Sequence, residues 1–277
     1  MKFIKLFKHD FSNGILKNRF FWISTILISI MFCIDFSVKA NALKSYGFSY
    51  NYGDVIMSIY GGMKEYIPLR EEHFVFPVKW VILILAQFFG TLNYPYNSIN
   101  TFGKQILIRT EGRSLWWFSK CAWNVTYSIL YHEFILLISL MYCLISGFNI
   151  TMNVNSDLLM FIFNLQEYQL NLNMINIHVY ILLTPILMAI SVNLIQMTIS
   201  LFVNRTFSFL AMTCITVISA YLMKPYIIGN YSMMIRSTYV INNGIDFNNG
   251  IIIASVLFAI GLIIGLIKFN RYDILNS

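Results

Sequence analysis

Charge is what this sequence has least of. Only 11% of its 277 residues are Asp, Glu, Lys or Arg, against roughly a quarter in an average soluble domain. With 58% hydrophobic residues and a mean hydropathy of +0.67, too little polar surface remains to cover a water-exposed core of this size. A soluble enzyme is not expected from such a composition, and the bilayer is the natural solvent. Acids are scarcer than bases, 12 against 19, giving a net charge of +7. The bases are spread by topology rather than gathered into a nucleic-acid patch, so no nucleic acid is expected as a partner. The four cysteines, Cys33, Cys121, Cys143 and Cys214, match neither a zinc site nor a disulfide framework and read as ordinary buried thiols.

Catalytic signatures are missing as well. The sequence holds no G-x-x-x-x-G-K-[ST] loop, so any nucleotide hydrolysis belongs to another chain. His132-Glu133 opens like a metalloprotease helix, but Leu136 stands where the second ligand belongs, and no metal is expected. Arg70-Glu71-Glu72-His73 reads as a solvated charge cluster in a loop.

What is present is long apolar runs. A hydrocarbon core about 30 Å thick needs roughly 20 apolar residues in a helix. Six segments qualify: Phe20 to Ser37, Phe76 to Tyr94, Phe118 to Gly147, Val179 to Val203, Phe207 to Met223 and Gly250 to Ile267. The expected fold is an all-α membrane protein of six transmembrane helices. With the N-terminus inside, Lys2, Lys5, Lys8, Lys17, Arg19, Lys104, Arg109, Arg113, Lys120, Arg205, Lys268 and Arg271 fall on the cytoplasmic side, 12 of the 19 bases. This bias puts both termini in the cytoplasm. A secretory signal ending at Ala40-Asn41-Ala42 is the competing reading of the start. The long amphipathic basic region favours a retained first span. The richness in Ile, Asn, Lys, Phe and Tyr suggests an AT-rich genome, and a bacterial cytoplasmic membrane is the expected location.

Two units follow. Residues 1–19 place Phe3, Ile4, Phe7, Phe11 and Ile15 at helical spacing among Lys2, Lys5, Lys8, His9 and Lys17, which predicts an amphipathic helix on the inner interface. Residues 20–277 form the six-helix domain, with outer loops at 38–75, 148–178 and 224–249. Within the second loop, Leu158 to Leu165 is apolar but too short to span. The cytoplasmic connection 97–119 contains an amphipathic stretch bracketed by Gly103 and Gly112, with Lys104, Arg109, Glu111 and Arg113 facing water and Trp116, Trp117 and Lys120 marking re-entry.

Polar residues inside the spans are few and stand out. Gln87, Glu133 and Asn193 lie at similar depths along their segments, and Glu133 is expected to face the protein interior, because an ionisable group at mid-span is costly elsewhere. The three could form an interhelical hydrogen-bonding layer or line a substrate or proton path. Asp35 and Lys79, both near the outer face, are placed to pair. Gly261-x-x-x-Gly265 is a close-packing motif, serving either a neighbouring helix of the same chain or a dimer. Pro185 should kink the fourth span.

This layout resembles the permease subunit of a type-2 ATP-binding-cassette exporter: an amphipathic N-terminal helix, six spans with both ends inside, and an inner segment Gly103 to Lys120 between spans two and three. The resemblance implies a separate ATPase subunit carrying ATP and Mg, a second permease forming a homo- or heterodimer, and coupling contacts at Lys104, Arg109, Glu111 and Arg113. It implies export of a peptide, lipid or drug-like substrate, with no catalytic residue and no cofactor in this chain. Two other classes compete: a non-transporting membrane sensor or scaffold, and an intramembrane enzyme using His132 and Glu133.

Overall fold

The structure, a computed structural model, describes residues 2–68, 73–100, 112–165 and 175–272, without the side chains of 100 and 175–181. Among them there is no strand, only two isolated β-bridges, Asn51 with Asn149 and Ser237 with Ile245. The elements are α1 (Lys2–Phe11), α2 (Arg19–Ala42), α3 (Tyr52–Tyr60), α4 (Val78–Asn100), α5 (Arg113–Ser146), α6 (Ser156–Phe163), α7 (Ile175–Ile199), α8 (Arg205–Tyr221) and α9 (Phe247–Asn270). A π-helical turn, Ser12–Leu16, follows α1, and two 3-10 turns, Ile228–Ser232 and Met234–Arg236, lie between α8 and α9.

The six predicted apolar segments are the six longer helices. Four of them, α2, α5, α7 over Leu182–Ile199, and α9, have the length and apolarity to cross a membrane, while α8 is apolar but only 17 residues long. The α4 helix has 23 residues, but its last turns read Asn93-Tyr94-Pro95-Tyr96-Asn97 and are too polar for hydrocarbon.

The six helices alternate in direction, which defines two ends. At the proximal end Tyr94 of α4 donates to Asp10 of α1 (2.9 Å), Arg113 opening α5 donates to the Asn270 carbonyl closing α9 (2.7 Å), and Arg205 opening α8 donates to Asn93 (3.1 Å). At the distal end Lys79 opening α4 donates to Asp35 of α2 at 2.8 Å, the pairing anticipated for these two residues. There the Asn149 N–H also reaches the Tyr50 carbonyl (3.0 Å), tying the exit of α5 to the entry of α3.

Local chemistry sets the helix starts. Asn18 caps α2 by accepting from the N–H groups of Phe20 and Phe21. Asn51 and Asp54 form a capping box at α3, with the Asn51 N–H donating to Asp54 Oδ2 at 2.8 Å. The loops predicted outside the bilayer contain structure of their own. Every residue of α3 is buried, so the 38–75 connection plunges a helix into the bundle. Leu158 and Leu159 of α6 are buried as well.

Small residues let α9 approach its neighbours. Ser191 and Thr198 of α7 donate to the carbonyls of Ala254 (2.7 Å) and Gly261 (2.9 Å). A methyl group on Gly265 would fall 1.9 Å from the Trp117 ring, whose Nε1 donates to the Leu262 carbonyl at 3.0 Å. Both glycines of the close-packing motif are thus used within the chain. Cys33, Cys121 and Cys143 are buried free thiols, whereas Cys214 is exposed, contrary to the expectation for all four.

Candidate functional site

The inner face of α5 carries a polar residue every four positions, Lys120, Asn124, Ser128 and His132, and all four are buried. That interval returns to nearly the same side of a helix. It builds a polar stripe along a largely apolar segment, meeting α1 at Lys120, α7 at Ser128 and α3 at His132. Asn193 of α7 donates to Ser128 Oγ at 3.0 Å, and Gln196 donates to the Phe88 carbonyl at 2.9 Å. One turn above, His132 Nδ1 lies 2.9 Å from the Tyr60 hydroxyl at the end of α3.

Two of the three residues expected in a polar layer are in this interior: Gln87 is 1% exposed and Asn193 is fully buried. Glu133 is not. It is exposed, because one residue beyond His132 the helix has turned by about 100°. The expectation that Glu133 faces the interior is therefore corrected. His132 and Glu133 also point to different sides of α5, so the structure does not assemble them as a catalytic pair.

Satisfaction of this layer is incomplete. Gln87 Nε2, His132 Nε2, both side-chain heteroatoms of Asn124, Asn193 Oδ1 and Gln196 Oε1 are buried without a partner. Such atoms are rare in folded proteins and mark hydration, strain or function. Gln87 and His132, but not Asn124, Asn193 or Gln196, line a cavity of about 30 Å³, bounded also by Tyr60, Pro185 and Thr216.

The second cluster is at the proximal end. Asp10 of α1 is 3% exposed; its carboxylate accepts from Lys120 Nζ (2.5 Å), Ser119 Oγ (2.6 Å) and Tyr94 Oη (2.9 Å). The Lys120 ammonium also lies 4.7 Å from the centre of the Tyr94 ring and 4.9 Å from that of Trp116. The N-terminal helix is thus locked to α4 and α5 by a buried ion pair, beyond any role as an interfacial anchor. Of the four residues expected to couple to an ATPase, Lys104, Arg109 and Glu111 lie outside the described residues. Arg113 is described, and it caps α9 through the carbonyls of Asn270 and Tyr272 (2.7 and 3.1 Å). Residues 69–72, which hold most of the Arg70 to His73 charge cluster, are also outside the described part.

A third cluster holds the distal end. Arg236 is fully buried; it donates to the carbonyls of Met63 (3.0 Å), Lys64 (3.2 Å) and Ala220 (3.0 Å), and also to the Ser219 carbonyl and Asn230 Oδ1. Burial pulls its guanidinium down to about 10, opposed by the charge of Glu65, so it stays charged at neutral pH. Two of its acceptors are carbonyls of the last turn of α8, where a cation meets the negative end of the helix dipole.

Sequence reasoning missed Asn124, Ser128, Gln196, Tyr60, Asp10 and Arg236. The four-residue spacing from Lys120 to His132 was a readable signal for the stripe. Nothing in the sequence marked Tyr60 or Arg236, whose partners are distant in the chain. Among the described residues no group of three or more His, Cys, Asp or Glu could hold a metal. Compared with protein-family models, with curated proteins and with solved structures, the chain finds no match.

Proposed function

We propose that the chain is the membrane-spanning permease subunit of an ATP-binding-cassette exporter of the type-2 kind, moving a peptide, lipid or drug-like substrate with ATP hydrolysed by a separate subunit. In this reading all six longer helices cross the bacterial cytoplasmic membrane, both termini are cytoplasmic, and a second permease completes the path. The observation that carries it is the docking of α1 by the Asp10–Lys120 pair at the proximal end, where α4 and α5 also leave for the 101–111 connection. An amphipathic helix fixed rigidly beside an intracellular connection can transmit a push from a soluble motor, whereas a loosely floating anchor cannot. The incompletely satisfied layer around Gln87, Asn193 and His132 supports a bundle that rearranges, since its hydrogen bonds are not all made in one state. The exposed carboxylate of Glu133 supports a second membrane subunit that covers it, because a lone charge facing lipid is costly.

The test is co-purification of the tagged chain from native membranes in mild detergent, with mass spectrometry of what accompanies it. A stoichiometric ATPase is expected; its reproducible absence would overturn the reading and favour a sensor or scaffold. Because Arg113 caps α9, coupling is best probed with Lys104, Arg109 and Glu111 replaced by Ala. These variants should retain the ATPase in the complex yet lose stimulation of hydrolysis by substrate.

A further inference from the structure

The cavity between α3, α4, α5, α7 and α8 has a wall that is apolar nearly throughout, built from Leu83, Ile84, Phe88, Met188 and Val192 among others. Two of the polar residues that line it, Gln87 and His132, are 1% and 2% exposed and each carries an atom without a partner, Nε2 in both. Purely apolar cavities stay dry, but one with polar partners and room for a probe sphere takes up water. At about 30 Å³ this cavity has that room.

We propose that this cavity is a binding site for one neutral hydrogen-bonding molecule the size of water, held between His132 Nε2 and Gln87 Nε2. The chemistry selects a neutral occupant. If the Tyr60 hydroxyl donates to His132 Nδ1, then Nε2 carries the proton and the cavity presents donors from both His132 and Gln87. If Nδ1 carries the proton instead, Nε2 is an acceptor beside the Gln87 donor. Water, both donor and acceptor, satisfies either tautomer. An ion in this apolar wall would be left without a countercharge.

The geometry also gives the entry. Trp80 lines this cavity and equally lines a larger one of about 630 Å³ at the distal end, whose walls include Lys39, Lys64, Lys79 and Phe163. Its indole is buried and donates from Nε1 to the Ser232 hydroxyl (3.1 Å) and carbonyl (3.2 Å). Trp80 is the residue that the two linings share, and its tether holds the ring there. The site lies within one chain and stands whether or not that chain is a permease.

Hydroxyl-radical footprinting of the full chain in bilayer nanodiscs, by brief synchrotron irradiation, tests this. Met188 and Met57 are equally buried, both 2% exposed, but only Met188 lines the cavity. Met188 should be oxidised severalfold faster than Met57 in the wild-type chain. Equal rates would overturn the site, and this comparison needs no variant. Gln87→Leu, close in volume and apolar, should bring Met188 down to the Met57 rate; an unchanged rate in a monodisperse variant would exclude Gln87 as a partner of the occupant. Trp80→Ala should raise the Met188 rate above wild type, and failure to do so would overturn the entry past the indole.

Discussion

The two ends of the bundle solve the same problem, a buried cation, with opposite chemistry. At the proximal end Lys120 meets a carboxylate, Asp10, 2.5 Å away. At the distal end the hydrogen bonds of Arg236 go to carbonyls and an amide oxygen, and among the described residues no acid forms an ion pair with it, Glu65 acting only through its charge. The ion pair and the Tyr94 and Ser119 hydroxyls that donate to it are all side chains, so each of its members can be replaced by an apolar residue. The arginine cage cannot, because its acceptors belong largely to the backbone, and any replacement strands them. A planar guanidinium with five donors suits that task, gathering the 63–64 segment, the end of α8 and the following turn at once.

The sharpest way to break this contrast is Arg236→Met, which leaves buried carbonyls unpaired. A loss on the order of 5 kcal/mol is expected from several charged hydrogen bonds removed together, read as collapse of thermal stability in detergent. Arg236→Lys should recover little of it. Next comes Asp10→Ala, which leaves Lys120 buried and unpaired and should cost about 3–5 kcal/mol. Adding Lys120→Met should restore part of that loss, the Tyr94 and Ser119 hydroxyls still lacking their acceptor. If the double variant is as unstable as the single one, the two ends do not differ in the way described.

A smaller effect comes from Asp54, whose two oxygens accept from the N–H groups of Asn51 (2.8 Å) and Asn155 (2.6 Å). Burial raises its carboxyl from 3.8 to about 6, outweighing the opposing pull of those two backbone donors. The folded state therefore holds this proton more tightly than the unfolded chain does. The associated stability is complete below about pH 4 and is lost as pH rises through about 6. Between pH 5 and pH 7 the wild type should lose about 1 kcal/mol relative to Asp54→Asn, measured as the difference between their unfolding midpoints at each pH. Smallest is Lys39→Ala. Lys39 and Asp35 are each more than a third exposed, and Lys79 holds the same carboxylate more closely, at 2.8 Å against 3.2 Å. A change of about 0.3 kcal/mol is expected for such a pair; a loss above 1 kcal/mol would move the distal anchor from Arg236 toward the Asp35 cluster.

The difference between the two ends also explains what could be read in advance. The proximal helix was legible because Phe3, Phe7 and Phe11 repeat at helical spacing, and their rings do follow one another along α1, with centres 6.4 and 6.3 Å apart. Asp10 within it was not legible as an anchor, because its partners Tyr94, Ser119 and Lys120 lie more than eighty residues away. In the candidate site, Gln87 and Asn193 could be placed inside from depth alone. Glu133 could not be placed correctly, since depth along a helix is known from counting but rotation about its axis is set by neighbours. Only the packing of α5 against its neighbours, with Tyr60 of α3 meeting His132 at 2.9 Å, turns His132 inward and Glu133 out.

Composition and apolar runs were enough for the membrane-like character, the all-helical class and the approximate position of six apolar helices. Those depend on hydrophobicity summed over a segment and on backbone groups that must bond within it. The tertiary structure alone decided which loop helix is swallowed by the bundle, which cation receives an acid and which receives carbonyls, and which polar side chains share a cavity. Each depends on groups far apart in the chain meeting at a few ångströms, and no local property of the sequence encodes that distance.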